Sequence, residues 1–134
     1  MKIAFATQDL QTVDAHFGWA KNIAIYEFSA QAYRLDRIVS FEANLAEDGN
    51  EDKLVPKIEA LDGCALLYVA AIGGSGAARV IAKKIHPVKV EKPEVITDLL
   101  DRLLVLVNKN PPPWLRKALR DAGERKIGLA DLES

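Results

Sequence analysis

Three places in this chain carry residue types that could do chemistry. The first is Asp14-Ala15-His16-Phe17-Gly18, in the loop that follows a short apolar run. A loop imidazole can ligate a metal, move a proton or hydrogen-bond a turn, and loops are where a ligand can be reached. By residue type alone the turn role is favoured, because one histidine makes no metal site and Gly18 would supply a positive φ for chain reversal. The second place is Gly73-Gly74-Ser75-Gly76, a glycine-rich turn between an apolar run and an amphipathic stretch. Amides at a helix start can cradle an anion, yet glycines there serve equally well for a tight turn and close packing. The third is Cys64, the single cysteine. It can form no internal disulfide and no four-cysteine zinc or iron-sulfur site, so any metal centre would arrive preassembled or use mixed ligands.

The elements that must position these residues follow from the hydrophobic periods. Residues 2–6 read as a buried strand ending at Thr7-Gln8-Asp9, and 22–28 with 33–41 read as a hairpin turning at Ser29 to Gln31. Glu42 to Asp52 reads as an acidic surface loop. A helix is predicted through Leu54, Ile58 and Leu61, with Pro56 in its first turn and Asp62-Gly63 as its stop. Cys64 to Ala70 is a continuous apolar run, as in a strand buried on both faces. The glycine turn and a helix to Ala82 come next, then a short strand over 86–90. Pro93 is expected to open a long helix through Val95, Leu99, Leu103 and Val107, stopped by Lys109-Asn110 and the prolines that follow. Trp114 to Arg120 is a short amphipathic segment expected to fold back on the core, and the tail from Asp121 reads as polar and mobile.

That order predicts an α/β fold: a mixed sheet of five strands flanked by helices, its first three strands antiparallel. Loops after the first and fourth strands would then meet at one end of the sheet, bringing His16 to Gly73-Gly74. Length and composition agree with one ordinary domain, at 134 residues, 28% charged and 49% hydrophobic. The net charge of −1 gives no field to recruit nucleic acid or an anionic membrane. With no apolar run long enough for a signal peptide or a span, a cytoplasmic location is the expectation.

Three readings of the convergence stand side by side. Gly73 to Gly76 could hold a phosphate, although it matches neither the dinucleotide fingerprint nor a P-loop. A two-metal nuclease would need clustered carboxylates, and only Asp9 and Asp14 stand near the first strand's end. His16, with Cys64 and the glycine-loop amides, could hold an anionic metal-sulfur cluster. An enzyme is not expected, since no nucleophile is paired with a base.

The Asp14-Ala15-His16-Phe17-Gly18 loop, the Cys64 strand running into Ala71-Ile72-Gly73-Gly74, and the small size together resemble the nitrogenase accessory family shared by NifX, NafY and the carboxyl-terminal domain of NifB proteins. The resemblance spans residues 1–108 as a cluster-binding domain, leaving 109–134 as a proline-initiated helical segment and tail. It implies a ribonuclease H-like three-layer α/β/α fold without nuclease chemistry. It also implies a carrier that transiently binds iron-sulfur precursors of the iron-molybdenum cofactor and passes them between NifB- and NifEN-type assembly proteins. On this resemblance His16 is the direct cluster ligand, within a motif completed by Phe17 and Gly18. Gly73, Gly74 and Ser75 would present amides to the cluster's sulfides. Cys64 ranks below His16 as a metal ligand, because a lone cysteine on a buried strand usually packs as a small hydrophobe. The alternatives are a small-molecule or phosphate-binding regulatory domain using the Gly73–Gly76 loop, and a scaffold for other Nif proteins that carries no cluster.

Overall fold

A computed structural model describes residues 1–41 and 54–122. The acidic stretch 42–52 and the end of the tail lie outside the described residues. The strands are β1 (Lys2–Thr7), β2 (Thr12–Val13), β3 (Asn22–Phe28), β4 (Tyr33–Ser40), β5 (Cys64–Val69), β6 (His86–Lys89) and β7 (Glu94–Val95). The helices are α1 (Leu54–Ala60), α2 (Gly74–Ala82) and α3 (Ile96–Asn108), followed by a helical stretch over 113–122, here α4.

Five strands form one mixed sheet in the order β4-β3-β1-β5-β6. β1, β3 and β4 are antiparallel in turn, while β1, β5 and β6 run parallel. The expected sheet is therefore present, with the hairpin closed at Ser29, whose amide donates to the Ala32 carbonyl at 2.8 Å. Helices cover both faces because successive strand residues point opposite ways. Ile3 and Phe5 pack with Leu99, Leu100 and Leu103 of α3 and Leu115 and Ala118 of α4. Ala4 and Ala6 pack with Ile58 near α1 and Val80 of α2 on the other face. A register shift between β1 and β5 pairs Lys2 with Cys64 but Ile3 with Leu66. Such a bulge adds one residue, which puts Ala65 and Leu66 in the same core.

Three local expectations need correction. Pro93 does not open the long helix: Glu94–Val95 pairs antiparallel with Thr12–Val13 as a separate two-stranded sheet, and α3 begins at Ile96, whose amide donates to the Gln11 carbonyl at 2.8 Å. Two-residue strands carry no periodicity, so only their tertiary pairing reveals them. Asp121 and Ala122 are helical, continuing the segment that starts before Trp114. Gly18 has no positive φ; among the described residues Leu10, Gly63 and Lys84 do, and Gly63 ends the α1 turn as its residue type predicts. Among the described residues no helix is long and apolar enough to cross a membrane.

Candidate functional site

The chain leaves β1 toward β3 on one side of the sheet and leaves β5 toward β6 on the other. Two neighbouring parallel strands whose connections diverge open a crevice at their carboxyl ends, where ligands of open α/β sheets collect. Here the crevice is bridged by backbone. The Ala70 amide donates to the Ala15 carbonyl at 2.9 Å and the Phe17 amide to the Ala71 carbonyl at 2.8 Å, with His16 and Ala71 paired in parallel. The loop after β1 and the loop after β5 thus meet as expected.

The β1 loop is held by its polar side chains. Asp14 Oδ1 accepts the Gln8 amide at 2.8 Å, Gln8 Oε1 accepts the Lys21 amide at 2.6 Å, and Gln8 Nε2 donates to the Trp19 carbonyl at 3.2 Å. Asp9 Oδ1 accepts the amides of Thr12 at 2.8 Å and Gln11 at 2.9 Å. Those donors, the Thr12 amide foremost, hold the Asp9 carboxyl down at about 2. Both acids near the end of β1 are occupied with backbone. Among the described residues no three His, Cys, Asp or Glu side chains gather as a metal site.

His16 is half-buried and caps a short 3-10 turn, Phe17–Trp19. Its Nδ1 accepts the Gly18 amide at 3.0 Å, and its carbonyl accepts the Trp19 amide at 3.0 Å. An accepting Nδ1 puts the proton of the neutral ring on Nε2. A metal reaching Nε2 must displace that proton, either to solvent or to Nδ1 with loss of the cap. The ring lies over its own turn, so that a Cβ on Gly18 would stand 3.4 Å from Nδ1 and Cε1.

Phe17 points the other way. It is 1% exposed, in the core beneath the loops, so its part in the motif is to seat the loop on α2. Gly73, Gly74 and Ser75 are exposed at the start of α2. Gly73 is the N-cap with no side-chain hydrogen bond to it, and a Cβ on Gly73 or Gly74 would meet nothing within 4 Å. The first-turn amides of α2, with the positive end of its dipole, follow two residues after Ala71, the partner of His16, and have no side-chain cap.

Cys64 is not brought to this place. It is fully buried and paired with Lys2 at the opposite end of β1, roughly 20 Å from Ala71 at the rise of an extended strand. His86, at the start of β6, also lies away from the loops. Its ring stacks on Trp114 with centroids 5.2 Å apart and planes 11° apart. Burial and nearby Lys117 lower its pKa. Arg79 is half-buried in α2.

Two residues of the site were not singled out from sequence. Trp19, 55% exposed, is a large apolar surface on the same turn as His16. Lys57 is only 4% exposed, and its Nζ donates to the Gly18 carbonyl at 2.8 Å. A signal for Lys57 exists: with Leu54, Ile58 and Leu61 it falls on one helical stripe, where a lysine breaks an apolar pattern.

Comparison with known proteins points to one family. The model of a family described as dinitrogenase iron-molybdenum cofactor matches residues 1–105. NifX of Herbaspirillum seropedicae is 57% identical over 131 residues, covering 98% of this chain and 90% of its own. NifX of Azotobacter vinelandii is 39% identical over 120 residues, 90% of this chain and 75% of that one. NifY of Azotobacter vinelandii is 30% identical over 131 residues, 95% of this chain and 51% of that one. Among solved structures, the crystal structure of PH0822 superposes with a TM-score of 0.61 at 16% identity, over 78% of this chain and 89% of that one, which shows a shared fold.

Proposed function

The chain belongs to the dinitrogenase iron-molybdenum cofactor family, among the NifX proteins, with a role in nitrogenase cofactor biosynthesis, and from that premise we propose that it is a carrier. Its cargo is an iron-sulfur precursor of the iron-molybdenum cofactor, held in the crevice between the loops after β1 and β5 and passed between NifB- and NifEN-type assembly proteins. The observation that carries the proposal is the backbone pairing of His16 with Ala71, which joins the loop bearing the imidazole to the segment that leads into α2.

In this reading His16 is the one side chain that ligates the cargo, through Nε2. Gly73, Gly74 and Ser75 offer backbone N–H groups to the cluster's sulfides, as helix starts do for anions generally. Phe17 and Gly18 shape the loop. Cys64 stands outside the contact by its distance along the sheet. Retention by one imidazole plus hydrogen bonds suits a cargo that must be released, whereas three or four thiolates would trap it. A carrier needs no reaction of its own, and a cytoplasmic location belongs to the same proposal. The strand order, with its antiparallel β3 and β4 beside parallel β1, β5 and β6 and helices on both faces, supports the ribonuclease H-like assignment.

The test is anaerobic incubation with the extracted cluster precursor, followed by gel filtration and iron analysis. The carrier elutes brown with iron bound. Retention of inorganic phosphate without iron would favour the regulatory alternative at the Gly73–Gly76 loop, and retention of neither would favour a scaffold that carries no cluster.

A further inference from the structure

A lysine ammonium inside a protein is costly to desolvate and persists where it holds something in place. Lys57 sits on the core-facing side of α1, 4% exposed, with its Nζ 5.4 Å from the centroid of the Phe41 ring and 2.8 Å from the Gly18 carbonyl. A Leu or Met there would continue the stripe of Leu54, Ile58 and Leu61 with no charge to bury. The contact made instead falls on the residue that also binds His16. Gly18 is held from both sides: its carbonyl accepts from Lys57, and its amide donates to His16 Nδ1 at 3.0 Å.

We propose that Lys57 is a positioning residue for His16, fixing the Gly18 backbone so that its amide meets the imidazole and selects the ring form with the proton on Nε2. Gly18 bears no Cβ, and its φ is set by its partners rather than by a left-handed requirement. A glycine in a 3-10 turn of three residues has wide conformational freedom. Without the Lys57 donor the Gly18 carbonyl loses its side-chain anchor, the turn is left to the Trp19 amide on the His16 carbonyl, and the Gly18 amide is held less firmly at Nδ1. Lys57 makes no contact with cargo in this scheme. Its effect on cargo uptake rests on the carrier reading, while its effect on the imidazole does not.

The experiment reads the imidazole first, on the full chain without cargo. Nitrogen-15 NMR of the His16 ring gives the tautomer, and amide exchange gives the protection of Gly18. In Lys57→Met the ring is expected to become a tautomer mixture and the Gly18 amide to exchange roughly tenfold faster or more. Phe5 and Tyr68, paired in the sheet, should keep their protection. Lys57→Arg, which keeps a donor, is expected to recover the wild-type ring signature. If Lys57→Met does not fold, Lys57→Ala, which also lacks a donor, is read the same way. A folded variant with the wild-type tautomer and Gly18 protection overturns the proposal. Uptake of the extracted cluster precursor is then measured on the same samples. Iron reaches Nε2 only when its proton has left or moved to Nδ1, so a ring released from the cap should take up cargo at lower precursor concentration than the wild type. Uptake unchanged or lowered in a folded variant with a mixed ring would overturn the link to cargo. Wild-type protein that takes up no cluster sinks the carrier reading and leaves the positioning result standing.

Discussion

Phe17 and Gly76 are packed so closely that a Cβ on the glycine would lie 3.5 Å from Phe17 Cδ2, and 3.3 Å from Ile72 Cγ1. This contact seats the His16 loop on the first turn of α2. Phe17 therefore acts through position. Phe17→Ala is expected to cost about 3–5 kcal/mol, the range for emptying a buried aromatic site. Chemical denaturation of the variant checks this, and a loss under 1 kcal/mol, below even the usual cost of a buried methylene pair, would show that the seat lies elsewhere.

His16 has two separable roles, capping the turn and meeting cargo. His16→Asn keeps a short side-chain acceptor suited to an N-cap and removes the imidazole. It should stay within about 1 kcal/mol of wild type in stability while losing uptake of the extracted cluster precursor. Melting and iron content measured on the same preparation decide it; full uptake by folded His16→Asn would remove the imidazole from the ligand set.

Cys64 is buried at the far end of β5 from the loops. Cys64→Ala should leave cluster uptake unchanged per folded molecule. Cys64→Ser places a hydroxyl in an apolar site and should destabilise by about 1–3 kcal/mol, with uptake falling only as the folded fraction falls. Uptake abolished in a fully folded Cys64→Ala protein would promote the thiol to a ligand.

His86 is held below its ordinary pKa of 6.5 by burial and by Lys117. A histidine whose folded pKa is depressed is neutral in the fold, so the unfolded chain binds more protons between the two values and stability rises with pH across that window. Stability should therefore decline as pH falls below about 6.5, and His86→Phe, which keeps a ring against Trp114, should flatten that part of the profile. Tm recorded against pH for both proteins is the measurement. An equal slope in the two would assign the effect to other groups.

Much of the scaffold was legible in the chain itself. β3 appears with the bounds its alternating residues imply, and β5 is the continuous apolar run after Gly63. Each depends on a pattern contained in a few neighbouring residues, and the same holds for the glycine turn that starts α2. The folding back of Trp114 to Ala118 onto the core was equally readable as an apolar stripe.

What the chain could not disclose were relations between segments distant in sequence. Val95 reads as the first turn of a helix after Pro93, yet it pairs with Thr12 because β2 lies there to receive it. His16, Phe17 and Gly18 are recognisable as a motif, but their separate duties come from what surrounds them. One ring turns back to cap the Gly18 amide, the next is buried against α2, and the glycine is gripped by a lysine 39 residues away. Composition and period determine which elements form, since those preferences are local. Burial, tautomer and the meeting of two loops are set by non-local contacts, and these exist only once the sheet has brought β1 and β5 side by side.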